Sequence, residues 1–289
     1  MNEDKTKNNP KWLTIAKEAY QIWITERPAQ FAASIAYYAI FSFVPVIYVI
    51  FVLAEFIFSK LSISDRFYTE LSNLMGTQVA LYLHEGVANL ANSSSGGTLL
   101  ASFISFIAIL LSTSVIFLQI QHTLNTIWLV PPRPKGSTIA LVRNRLIALL
   151  MLLGIFLFFI LGAIANLLVS FIASQIQLKF IVSILSFVML VALGMLSFAL
   201  FYKLLPRAYV AWKHIWPAAG VAALLVALIV QLIGGFVSTS KFSSAIEAAG
   251  TMTVMLIAFY LLGQIFVLGA VLIRVHAAID GESVIPLEK

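Results

Sequence analysis

The chain contains no cysteine, which removes disulfides, thiolate metal sites and cysteine nucleophiles together. Charge is scarce as well: only 10% of the 289 residues are Asp, Glu, Lys or Arg, against about 25% in an ordinary soluble domain. A water-soluble fold has no room to hide the 61% of hydrophobic residues that remain. Catalytic signatures are missing too. No H-E-x-x-H, G-x-S-x-G or phosphate-binding glycine loop occurs, and His84, His122, His214 and His276 lie in different segments with no partner at metal-ligand spacing. We therefore expect no enzyme activity, no catalytic or metal site and no cofactor. The excess of 18 Lys and Arg over 12 Asp and Glu does not point to nucleic acid, because the basic residues fall in short clusters between apolar runs.

What the chain has in abundance is long apolar runs. Phe31 to Phe58 carries a single charge, Glu55, and as a straight helix it would measure about 42 Å. That exceeds a hydrocarbon core of about 30 Å, and in lipid only a helix bonds every backbone group within one segment. The run is too long for a cleavable signal-peptide core and is expected to stay as an anchor. Pro45 removes a backbone donor within it and pushes its ring toward the carbonyl of Phe41, so a bend or hinge is expected there. Five further runs cover about 98–123, 146–171, 180–205, 217–237 and 251–273. The predicted fold class is all-α, a polytopic membrane protein with a six-helix transmembrane bundle. No internal repeat supports an inverted-repeat architecture.

Between the runs lie three other kinds of segment. Residues 1–28 form an N-terminal segment in which Trp12, Ile15, Ala19 and Ile22 recur at helical spacing, as an interfacial helix or as one packed on the protein's own loops. Residues 60–97 are too long for a tight loop and keep a helix-like period broken by Gly76 and Gly86; they read as an amphipathic insert over the outer mouth of the 29–276 transmembrane domain. Residues 277–289 form a polar tail. Trp128, just before Pro131, Pro132 and Pro134, fits an interfacial anchor. Lys and Arg alternate between connections: the N-terminus, 124–145, 203–214 and the C-terminal end hold 14, and the three intervening connections hold 4. Both termini should then be cytoplasmic.

Polar groups inside lipid are costly unless partnered, so they face a wet cavity or another helix. Gln264, Gln231 and Asn166 are the candidate cavity-lining residues, and Glu55 and Glu247 the candidate acidic groups on the outer side, Glu247 being placed in the outer connection. Interhelical hydrogen bonding is the plainer reading of the amides. Ala219, Ala223, Ala227, Gln231 and Gly235 fall four apart, which reads first as a packing seam.

Five stretches carry a family likeness: ASIAYYAIFSFVP at 33–45, LQIQHTLNTIW at 118–128, FYKLLP at 201–206, HIWPAAG at 214–220, and EAAGT through LGA near 247–270. In this order and spacing the chain resembles the BrkB/YihY family of bacterial inner-membrane proteins, once described as ribonuclease BN. The resemblance implies a six-span, multi-pass protein of the plasma (inner) membrane with envelope, virulence-related or transport roles. No residues here support a ribonuclease. The chain departs from the family's usual pattern in having Val271 where a carboxylate commonly follows Gly269-Ala270, and Ile246-Glu247 where Tyr-Gly commonly precedes Ala-Ala-Gly. Membrane lipids are the expected partners, with a lipid or small molecule as substrate. A transporter or lipid-translocating protein leads over a non-transporting envelope scaffold.

The charge split yields a direct test of orientation. Single cysteines at Ser64 and Ser94 should react with an impermeant maleimide in intact cells, and one at Ser137 should not; labelling at Ser137 alone inverts the topology.

Overall fold

The computed structural model describes residues 10–58, 114–131, 179–239, 244–282 and 284–286, with isolated helical positions at Leu150, Gly154 and Gly162. The expected insert at 60–97 and most of the second and third runs lie outside these residues. The elements are α1 (Lys11–Thr25), α2 (Ala29–Phe58), α3 (114–127), α4 (Lys179–Leu204), β1 (Ala208–Tyr209), α5 (Trp212–Thr239), α6 (Ser244–Ile279) and β2 (Ile285–Pro286). Among the described residues three helices, over Ile184–Leu204, Trp212–Val230 and Thr253–Ile279, are long and apolar enough to cross a membrane. α2 adds an apolar helix of 30 residues that stays helical across Pro45.

Two boundaries differ from expectation. α5 begins at Trp212 and carries Pro217 inside it. Pro217 lies in the second turn, past the free N–H groups of the helix start, so it removes the bond to the carbonyl of Lys213 and the helix continues across the gap. α6 begins at Ser244, which places Glu247 in its first turn rather than in a connection, and it continues through Arg274 and His276 to Ile279.

α6 is the element the others share. It packs against α1, α2 and α5, while α4 packs on α5. Lipid gives apolar helices no hydrophobic reason to associate, so close contact depends on small residues and interhelical bonds. At the α2–α6 crossing a Cβ on Gly263 would lie 2.9 Å from the Ala32 carbonyl oxygen. On α5, Ala219, Ala223 and Ala227 are all buried, and a Cβ on Gly194 of α4 would come 3.3 Å from that of Ala223. The small-residue stripe is thus a helix seam as far as Ala227.

Side-chain donors then lock the helices in register. The Tyr202 hydroxyl of α4 donates to the Phe266 carbonyl of α6 at 2.8 Å, and its ring stacks on Phe266 at 4.9 Å between centroids. Gly269 makes room for it, since a Cβ there would stand 2.1 Å from the hydroxyl oxygen. One turn on, Trp128 Nε1 donates to the Ala270 carbonyl at 2.9 Å. Trp128 is only 4% exposed. It is a buried clamp on α6, not the interfacial anchor its position before the prolines implied.

The same segment reads the loop after α4. Gln121 and Asn125 lie four apart, on one face of α3; Gln121 Nε2 donates to the Leu205 carbonyl at 2.6 Å, and Asn125 Oδ1 accepts from the Arg207 N–H at 2.9 Å. α3 ends in a Schellman turn, with Leu129 at φ 56° and bonds Val130 N to Asn125 O (2.8 Å) and Leu129 N to Thr126 O (3.1 Å). Pro131 follows, so the helix stops.

α1 buries Ala19 and packs Ile15, Ile22 and Trp23 against the core, leaving Trp12 (66%), near the helix start, and Tyr20 (65%) exposed. β1 pairs with β2 in two antiparallel steps, Ala208 with Pro286 and Tyr209 with Ile285. This ties the tail to the α4–α5 loop.

The Tyr202 and Gly269 contact generates a double-mutant test. Gly269→Ala should cost about 1–3 kcal/mol through overpacking, and Tyr202→Phe about 0.6 kcal/mol, the usual size of an intramembrane bond. Thermal melting in detergent should show the double variant less destabilised than the sum, because Phe removes the hydroxyl that clashes.

Candidate functional site: a histidine and carboxylate cluster at the charged end

Of the candidate cavity-lining, outer acidic and hinge residues, Gln264 is the one whose side chain is described. Its Nε2 donates to the Ala29 carbonyl at 3.4 Å, across the α2–α6 contact. The side chains of Asn166, Gln231, Glu55, Glu247 and Pro45 lie outside the described residues, although Pro45 and Glu55 fall within α2 and Gln231 within α5.

The structure instead gathers ionisable groups where α6 ends. His276 and Asp280 stand four residues apart and so share a helix face. Gly281, at φ 72°, then turns the chain through a second Schellman motif, Glu282 N to Ala277 O at 2.9 Å and Gly281 N to Ala278 O at 3.1 Å. That left-handed step is inexpensive for glycine and costs other residues about 1–2 kcal/mol. It brings Glu282 back beside His214, the third residue of α5.

His214 is 1% exposed and sits between two carboxylates. Its Nε2 lies 3.0 Å from Glu282 Oε2, and its Nδ1 lies 3.7 Å from Asp280 Oδ2 with no hydrogen-bond partner. His276 Nε2 approaches the same Asp280 oxygen at 3.8 Å, and the two imidazole rings meet edge to face at 4.8 Å. Each carboxylate gives its other oxygen to a lysine, Asp280 Oδ1 to Lys11 and Glu282 Oε1 to Lys213. The Lys11 hydrogen bond holds the Asp280 carboxyl below its ordinary range, and bonds from Lys213 and then His214 do the same for Glu282. A groove of about 320 Å³ opens beside the cluster, lined by Tyr209, Val210, His214, Ala277, Glu282 and Val284.

A second knot lies nearby. Arg274 forks onto both Glu26 oxygens at 2.7 and 3.0 Å and also donates to the Ile127 carbonyl at 3.0 Å. Lys203 Nζ donates to the Val210 carbonyl at 2.7 Å beneath the Tyr209 ring. Three of the basic clusters in the sequence, with the 124–131 stretch, therefore meet at one end of the described helices. Sequence reasoning set the histidines apart because His214 and His276 are remote in the chain. The His276 and Asp280 spacing was the one local signal for the cluster.

A profile of the virulence factor BrkB family matches residues 19–285. The chain belongs to that family. Two relatives, each called UPF0761 membrane protein, come from two strains of Stenotrophomonas maltophilia and are 25% identical over 288 residues, covering 95% of this chain. The chain spans 63% of the length of these relatives. No solved structure matches. Family membership and apolar helices make this a membrane protein, and three of the five motifs that carry the likeness acquire physical roles from the contacts above. LQIQHTLNTIW supplies Gln121, Asn125 and Trp128, FYKLLP supplies Tyr202, and LGA supplies Gly269 and Ala270.

Depressed carboxyl pKa values mean that the contacts of Asp280 and Glu282 stabilise the tail above the ordinary carboxylate range of about 4 and are lost as pH falls through the lowered values. Hydrogen-exchange protection factors at 280–282 and 284–285, which divide out the intrinsic pH dependence of amide exchange, should therefore be high at neutral pH and fall below about pH 4. Gly281→Ala should lower the same protection factors at pH 7 by straining the turn that presents Glu282.

Proposed function

We propose that this protein moves a lipid or a small-molecule substrate across the plasma (inner) membrane through a six-helix bundle with both termini cytoplasmic. Gln264, Gln231 and Asn166 line the route, the 60–97 insert roofs its outer mouth, Glu55 and Glu247 stand on the outer side, and Pro45 lets α2 bend. α1 lies in the membrane interface, its exposed Trp12 and Tyr20 in the headgroup region. The proposal involves no bond-breaking step and no nucleic acid.

One observation carries the reading. The charged end is closed by separable ion pairs, Arg274 with Glu26, Lys11 with Asp280 and Lys213 with Glu282, each with at least one partly exposed partner. Solvent screens pairs in such settings, so opening this end costs little while the buried seams stay packed. A non-transporting envelope scaffold or accessory protein is the second reading. It draws on Gln264, whose amide is already bonded to the Ala29 carbonyl within a helix contact.

Mass spectrometry of lipids and metabolites that co-purify with the protein selects the substrate, and flux of that substrate is then measured in proteoliposomes. Transport predicts flux well above protein-free vesicles, altered at least several-fold by Arg274→Gln and abolished by Gln264→Leu with little change in melting temperature. Flux equal to that of empty vesicles, with a stable Gln264→Leu protein, supports the scaffold.

A further inference from the structure

The His214 cluster asks for something between its groups. An ionised carboxylate only accepts hydrogen bonds, so the 3.0 Å contact with Glu282 Oε2 fixes the proton of His214 on Nε2. In the neutral ring the lone pair is then on Nδ1, and that nitrogen faces Asp280 Oδ2 at 3.7 Å, beyond hydrogen-bond range. His276 Nε2 faces the same oxygen at 3.8 Å. Three potential ligand atoms from three side chains thus converge, with His214 fully enclosed. One ligand atom from each of the three lies within 4.8 Å of the others.

We propose that His214 Nδ1, His276 Nε2 and the Asp280 carboxylate bind one divalent transition-metal cation of the zinc class. With metal–ligand distances of about 2.0–2.2 Å, tetrahedral geometry sets ligand atoms about 3.3–3.6 Å apart. The 3.7 and 3.8 Å separations to Asp280 need to contract by only a few tenths of an ångström, while the two histidine nitrogens, within 4.8 Å of each other, have to close by up to about 1.2 Å, which rotation of the partly buried His276 side chain supplies. Glu282 is the outer partner: metal-bound histidines usually donate their other N–H to a carboxylate, which fixes ring and tautomer. Lys11 and Lys213 occupy the far oxygens of Asp280 and Glu282 and leave the facing ones available. They also balance the two carboxylates in charge. Attraction by net negative charge is therefore weak, and affinity rests on the imidazole nitrogens, which favours zinc, cobalt or nickel over magnesium or calcium.

The site joins α5, α6 and the tail, and Lys11 brings in α1. A bound cation would clamp these elements at the charged end whether or not anything crosses the bundle. The inference thus goes beyond the transport reading and stands apart from it.

The test uses the full chain, purified in detergent after treatment with a chelator. Zinc should titrate to one ion per chain and raise the melting temperature, and Co²⁺ should give the visible absorption of a tetrahedral site with nitrogen ligands. His276→Gln and Asp280→Asn should each weaken zinc binding by at least about tenfold, the lower end of what loss of an outer partner alone costs. His122→Gln, at an exposed histidine on α3, should leave it unchanged. Metal-free melting of each variant checks that the fold survives. The proposal is overturned if the wild type neither binds zinc saturably nor colours with cobalt. It is equally overturned if both ligand variants bind zinc as well as the wild type.

Discussion

Two side-chain donors reach main-chain carbonyls about one turn apart on α6, and the arrangement of the charged half of the protein depends on them. Tyr202 brings α4 against Phe266, and Trp128 brings the end of α3 against Ala270. Both contacts require α6 to present a bare backbone, which Gly269 provides beneath the Tyr202 hydroxyl. In lipid such bonds are individually modest. Their effect here is geometric, because they fix rotation and height of three helices at once, which small-residue seams such as Gly263 on Ala32 or Gly194 on Ala223 do not do alone.

Polar specificity is concentrated at the charged end. Three chain turns meet there with left-handed residues, Arg27, Leu129 and Gly281. Only the last is a glycine, and it is the one that has to bring a carboxylate back against a buried histidine. Arg274, Glu26 and the Ile127 carbonyl connect the first two turns to α6. The β1–β2 pair adds the tail to the same assembly. Apolar helices set the body of the protein, and its order at one end comes from ion pairs and capped turns.

Several of these features were legible in the residues themselves. The apolar runs gave α2, α4, α5 and α6 because lipid permits only helices across such lengths, and the fourfold alanine spacing on α5 announced a seam. The segment LQIQHTLNTIW marked a specific stretch without revealing its task, since Gln121 and Asn125 act on a loop some eighty residues away. Trp128 misled because a tryptophan before a proline cluster has the same local pattern whether it faces headgroups or a neighbouring helix. Pro217 and Glu247 misled for another reason: a proline in the second turn deletes one backbone bond without ending the helix, and a carboxylate is at home in a first turn, where the helix dipole favours it. The His214 cluster was invisible because its members meet only after α5 and α6 pack, and only His276 and Asp280 are near in sequence.

The position of α6 has a consequence for assembly during synthesis. It follows α1 through α5 in the chain, yet it contacts α1, α2 and α5 and accepts the bonds from Trp128 and Tyr202. Among the described residues, α4 and α5 can zip along their alanine seam as the chain emerges, whereas α1, α2 and the end of α3 share a partner once the ribosome delivers residues 244–279. The entry of α6 is then the step that gathers these earlier helices against one element.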